Sequence, residues 1–113
     1  MISVDEARKL AMAFPDTVEM PHFEKTSFRV KKKIFMTIDE KKAFAVLKLT
    51  PEDQSVFGSS PDGSITPIPN KWGLQGWTQV DLKKIKKSLF KDAVTCAWNT
   101  VSQKPQSPQP RRR

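Results

Sequence analysis

Between Thr26 and Leu49 three β-forming runs alternate with two short charged breaks. "TSFRV" is followed by "KKK", then "IFMTID", then "EKK", then "AFAVLKL". Runs separated by only a few polar residues are joined by hairpins, so neighbouring strands must be antiparallel. In the second run Ile34, Met36 and Ile38 fall on one face, and Phe35 and Thr37 on the other. In the third, both Ala45/Leu47/Leu49 and Phe44/Val46 are apolar, which predicts a central strand covered at least partly on both faces.

The flanks read as helices. "SVDE" at Ser3 to Glu6 is a capping box, and Val4, Ala7, Leu10, Ala11 and Phe14 follow it at helical spacing. Pro15 ends that helix. "FPDTVEMPHFEK" then reads as a connector with two prolines. Thr50 caps a short helix in "TPEDQSVFG", with Pro51 at its first position, Glu52 and Asp53 at its positive end and Gly58 closing it. "SSPDGSITPIPNKWG" is loop-like around a short strand from Ile65 to Ile68, and "GWTQV" is a further strand. Asp81 is expected to cap the last helix. Its apolar arc is Leu82, Ile85, Leu89, Ala93, Cys96 and Ala97, with Lys83, Lys84, Lys87 and Lys91 opposite. The resulting order, α-β-β-β-α-β-β-α, predicts a two-layer α+β domain: an antiparallel sheet of about five strands with helices on one face. One domain is expected over residues 1–102. The remainder, 103–113, "QKPQSPQPRRR", has no core-forming residues and is expected to be a disordered basic tail.

The chain's 113 residues carry a net charge of +8. Lys104 and Arg111 to Arg113 supply four of the 20 basic residues, leaving 16 against all 12 acids in the body. Such a balance suits nucleic acid, anionic lipid or acidic protein. Cys96 is the single cysteine, so no internal disulfide can form. With no apolar run of membrane length and no signal-peptide pattern, a cytoplasmic protein without a membrane partner is expected. Enzymatic chemistry has little to draw on. His22 is the single histidine, and a nucleophilic pair with Cys96 would need the two in contact. Cys96 falls on the predicted core arc, where it reads as a buried, inert thiol, and His22 reads as a hydrogen-bonded residue of the connector. A zinc site lacks ligands, the carboxylates Glu19, Glu24, Asp39, Glu40 and Asp62 are scattered, and no P-loop or dinucleotide fingerprint appears. No catalytic residue, metal or cofactor is therefore expected.

The basic residues are the functional lead. Arg29 and Lys31, Lys32 and Lys33 surround one hairpin turn, and Lys41 and Lys42 mark the next. Successive hairpin turns lie at opposite ends of a meander, so the two clusters need not share a surface. Lys83, Lys84, Lys87 and Lys91 form a second stripe, readable as a solvated helix face or as phosphate contacts. Lysine neutralises phosphate without reading bases, so any binding should be sequence-poor. In "NKWGLQGWTQVDL", Trp72 and Trp77 can be stacking platforms or packing. Gly73 and Gly76 permit a tight backbone between them, with a positive φ at one. Lys71 and Trp72 read as the rim of a groove. Trp77 shares a strand face with Gln79 and is expected to be half exposed.

"LAMAFPDTVEMPHF", "TSFRVKKKIFMTID", "FAVLKLTPEDQ" and "NKWGLQGWTQVDL", in this order and spacing, resemble the MmcQ/YjbR family from about Val4 to Val101. The resemblance implies a compact, secretion-chaperone-like α+β fold and a DNA-binding role, and it brings no catalytic residues. "VKKKIF" departs from relatives, which often have glycine at that turn, and this leaves the turn type open while adding charge to its tip. The expected function is low-specificity nucleic-acid binding through Arg29, Lys31 to Lys33, Lys71, Trp72 and the last helix's Lys83, Lys84, Lys87 and Lys91. The alternative is a protein-interaction adaptor using an apolar sheet face around Phe35 and Phe44. A third reading is an enzyme acting near His22 and Trp72. A monomer or weak homodimer is expected.

Overall fold

The computed structural model describes residues 2–22, 25–59, 62–69 and 71–102, without the side chain of His22. The predicted tail and the role expected of His22 lie outside what it describes. The elements are α1 (Val4–Met12), β1 (Thr17–His22), β2 (Lys25–Val30), β3 (Lys33–Asp39), β4 (Phe44–Lys48), α2 (Pro51–Gly58), β5 (Ile65–Pro67), α3 (Lys71–Leu74), β6 (Trp77–Asp81) and α4 (Lys87–Ser102). The strands form one antiparallel sheet in the order β1-β2-β3-β4-β6-β5. The α+β class and two-layer plan are as expected, with six strands rather than five. No helix among the described residues is long and apolar enough to cross a membrane.

Local chemistry sets the first helix. Ser3 Oγ accepts from the Glu6 amide at 3.0 Å, and Glu6 Oε1 accepts from the Ser3 amide at 3.1 Å. This capping box satisfies amides that the first helical turn leaves without partners. The backbone bond to Ser3 holds the Glu6 carboxyl below its ordinary range, against the opposing effect of desolvation.

The segment expected to be a connector contains the extra strand, β1. Pro21 has no N–H to donate, which argues against a strand in mid-sheet, but β1 is an edge and tolerates it. Asp16, at φ 59°, makes the bend that turns the chain into β1.

The β2–β3 turn is resolved by its dihedrals. Lys31 and Lys32 both have positive φ, 54° and 70°, and Val30 pairs with Lys33. Two left-handed central residues are the signature of a type I′ hairpin, here built from lysines where Asn-Gly is usual.

Next to this turn the simple alternation of β3 fails. Phe28 lies opposite Met36 but Arg29 lies opposite Ile34, so Phe35 is an extra residue in the ladder. The bulge turns Phe35 inward, and Phe35 and Met36 are both fully buried. Phe35 meets Phe14 edge-on, with centroids 6.5 Å apart, and Phe14 stacks on Trp98 at 5.8 Å.

The last helix starts later than expected. Asp81 ends β6, and its Oδ1 accepts from the Lys83 amide at 2.9 Å while its carbonyl accepts from Lys84 and Ile85. Leu82 opens a turn and is tied by backbone bonds to Ala43 and Ile2. Leu82 and Ile85 are buried, and their spacing imitates a helix that begins only at Lys87. From α4, Phe90, Ala93, Val94, Ala97 and Val101 close the core over β2, β3 and β4. Cys96 is half-buried rather than sealed in the core, and burial, followed by Asp53 and Asp92, raises its thiol pKa.

Candidate nucleic-acid interface

With α1 and α4 on one face, the other face of the sheet is bordered, among the described residues, by Ile68 and Trp72 at the β5–β6 end. Which side chains reach it follows from register. Glu19 turns toward α1, where Arg8 Nε binds its two oxygens at 2.8 and 2.9 Å. Its neighbours Val18 and Met20 therefore point to the open side, exposed at 53% and 42%. Lys25, Ser27 and Arg29 follow on β2, Thr37 and Asp39 on β3, Phe44, Val46 and Lys48 on β4, and Trp77, Gln79 and Asp81 on β6. The bulge that buries Phe35 leaves Ile34 on this side.

Two adjacent hollows of about 410 Å³ each lie on this face. One is lined by Lys25, Ile34, Thr37, Val46, Ile68, Trp72 and Trp77. The other shares Lys25, Thr37, Val46 and Ile68 and adds Asp39, Lys42, Phe44 and Gln79. Together they form a trough with a largely apolar floor, lined also by Lys25, Lys42 and Asp39 and by the rings of Trp72 and Trp77.

The rim of the trough is tightly built. A Cβ on Gly73 would stand 1.9 Å from the Ile68 carbonyl oxygen, so only glycine lets the two segments approach. Gly76 has the positive φ expected in this loop, 104°. Gln54 Nε2, from α2, donates toward the Gly73 carbonyl (2.9 Å), Thr78 Oγ1 (3.0 Å) and the Trp77 carbonyl (3.2 Å). These contacts hold Trp77 half-buried and leave Trp72 51% exposed. Lys48 donates to the Gln75 carbonyl and sets its ammonium 5.3 Å from the centre of the Trp77 ring.

The residues singled out from sequence are divided among four places. Arg29 lies on the open face, its Nε donating to Ser27 Oγ at 3.1 Å, and Ser27 Oγ donates to the Met20 carbonyl. Lys71 and Trp72 are at the rim. Lys31, Lys32 and Lys33 are exposed at the hairpin tip, where Lys31 Nζ donates to the Ser102 carbonyl at the negative end of α4. Lys83 and Lys84 sit in the turn after β6 rather than on a helix, and Lys87 lies 3.6 Å from Glu6. With Lys91 these mark the start of α4. Sixteen residues of helix, about 24 Å, separate that end from the hairpin tip. Phe35 and Phe44 do not share a surface, because the bulge buries Phe35. Lys25 and Lys48 were missed as site residues. Lys48 could have been found, since it shares the alternation of Phe44 and Val46; Lys25 lines the trough through pairing that no local pattern encodes.

No curated protein matches the chain. The crystal structure of Deinococcus radiodurans protein DR2400, with the family-model domain DUF419, is similar to it, with a TM-score of 0.78 over 95% of this chain and 83% of that one. At 23% identity that likeness establishes the fold. The YjbR family model matches residues 12–100, most of the folded body just described. The chain belongs to the YjbR family.

Proposed function

We propose that this YjbR domain binds nucleic acid with little sequence preference, through contacts to phosphate. The observation that supports this reading is the charge arrangement of the open face. Lys25, Arg29 and Lys48 project from its strands, and Lys42 and Lys71 stand at its margins. The acids on the same strand faces are Asp39 and Asp81, and each accepts a turn amide, from Lys42 at 3.2 Å and Lys83 at 2.9 Å. Among these residues the cations outnumber the acids five to two, which leaves the face net positive toward an anionic ligand. Lys31 to Lys33 extend the positive surface at the hairpin, and Lys83, Lys84, Lys87 and Lys91 form a separate flank. Lysine supplies charge without the bidentate geometry that reads guanine. Each neutralised phosphate contributes roughly −0.9 to the logarithmic salt slope on duplex DNA and about −0.7 on single strands.

The test is an electrophoretic shift series over salt, with single- and double-stranded DNA and RNA. Retardation at low salt that fades steeply with added salt is expected. No retardation by micromolar protein at low salt overturns the reading. Changing Lys31, Lys32 and Lys33 together to glutamate should weaken affinity with only a small fall in Tm from the lost Lys31–Ser102 contact, and unaltered affinity would remove the hairpin from the interface. The adaptor alternative now rests on exposed Val18 and Met20 beside Phe44, without Phe35. It predicts a protein partner whose binding is insensitive to salt.

A further inference from the structure

Resting on the nucleic-acid reading, we infer that the ligand is a single strand laid across the open sheet face, with bases stacked on Trp72 and Trp77 and phosphates held by Lys25, Arg29 and Lys48. The aromatic rings belong to the trough itself, where both tryptophans line the hollow with Val46 and Ile68. A duplex keeps its bases stacked inside and offers these rings nothing, whereas an unpaired base has a free π-face for them. Three strand spacings, about 14 Å, separate Arg29 on β2 from Trp77 on β6. Sheets of RNA-binding domains hold two or three stacked bases on such a surface. The Lys48 ammonium lies over the Trp77 ring, 5.3 Å from its centre, so a base stacking on Trp77 displaces it from that face toward the adjoining phosphate.

Charge complementarity selects this occupant over a neutral apolar one. A second copy of the chain docked face to face, or a partner poor in acidic side chains, would bury Lys25, Arg29 and Lys48 with too few anionic partners, which is costly. A polyanionic strand neutralises them. On this face no helix is offered to a duplex groove by α1 or α4, which are packed on the opposite side of the sheet.

The test uses the full chain and its Trp72→Ala variant, which alters an exposed side chain. Anisotropy is read with a labelled oligothymidylate and with a mixed-sequence duplex, and sedimentation reports self-association. Tighter binding of the single strand is expected, with Trp72→Ala weakening it by about 5- to 150-fold, the effect of one lost stacking platform, and leaving the duplex unchanged. Lys48→Met should weaken the single strand as well. Equal affinity for the two forms, with Trp72→Ala silent, overturns the stacking inference and leaves salt-dependent polyanion binding standing. Binding of neither form overturns both. Self-association abolished by Trp72→Ala assigns the face to a second copy and overturns the inference.

Discussion

Gly76 passes so close to Leu49 that a Cβ would stand 1.9 Å from the Leu49 carbonyl oxygen, and its own carbonyl accepts from the Leu49 amide at 2.9 Å. The contact joins the end of β4 to the link between α3, with Trp72, and β6, with Trp77. Gly76→Ala adds a backbone clash at a φ of 104°, which alanine resists. A loss of about 2–4 kcal/mol is expected, seen as a Tm drop of about 4–8 °C per kcal/mol in thermal denaturation.

Lys32 holds a φ of 70° at the hairpin tip, a conformation that favours glycine by about 1 kcal/mol. Lys32→Gly should therefore raise the Tm by several degrees while lowering the duplex salt slope by about 0.9 if that lysine meets a phosphate. Opposite signs for stability and affinity would show that the turn departs from glycine for the sake of charge.

Phe35 and Phe44 separate fold from surface. Phe35 is buried against Phe14, so Phe35→Ala should cost about 3–5 kcal/mol in chemical denaturation. Phe44 lines the trough and is only partly buried, so Phe44→Ala should cost less and change ligand binding more.

Acid should weaken the start of α1. The folded-state pKa of Glu6 is lowered, chiefly by the Ser3 amide, so its contribution is present above the ordinary carboxylate range and is lost as pH falls through the lowered value. Melting temperatures from about pH 7 to pH 3 should fall less steeply in Glu6→Gln than in the parent, and parallel curves would contradict this.

Features set by near neighbours were legible in the sequence. Ser3 and Glu6 announce their capping box, Thr50 and Pro51 start α2 where expected, and the half exposure of Trp77 follows from its alternation with Thr78. The failures arise from distant pairing. Pro21 reads as a strand breaker until β1 proves to be an edge. The bulge at Phe35 comes from the β2–β3 ladder, and its consequence is that Phe35 and Phe44 part company. Leu82 and Ile85 copy a helical period because both reach the core, although Leu82 lies in the turn after β6, tied by backbone bonds to Ala43 and Ile2. The site was half visible for the same reason. Trp72 and Arg29 could be named from local pattern, whereas the place of Lys25 depends on how strands far apart in the chain line up.

The sheet order has a kinetic corollary. Strands β2, β3 and β4 can pair through neighbouring hairpins, but β6 must return past α2, β5 and α3 to insert beside β4. Contacts of long sequence separation form slowly, because the intervening chain must first be closed into a loop. The strand bearing Trp77 is therefore expected to join β4 after the β2–β3–β4 hairpins have formed, so the ring surface is completed late in folding.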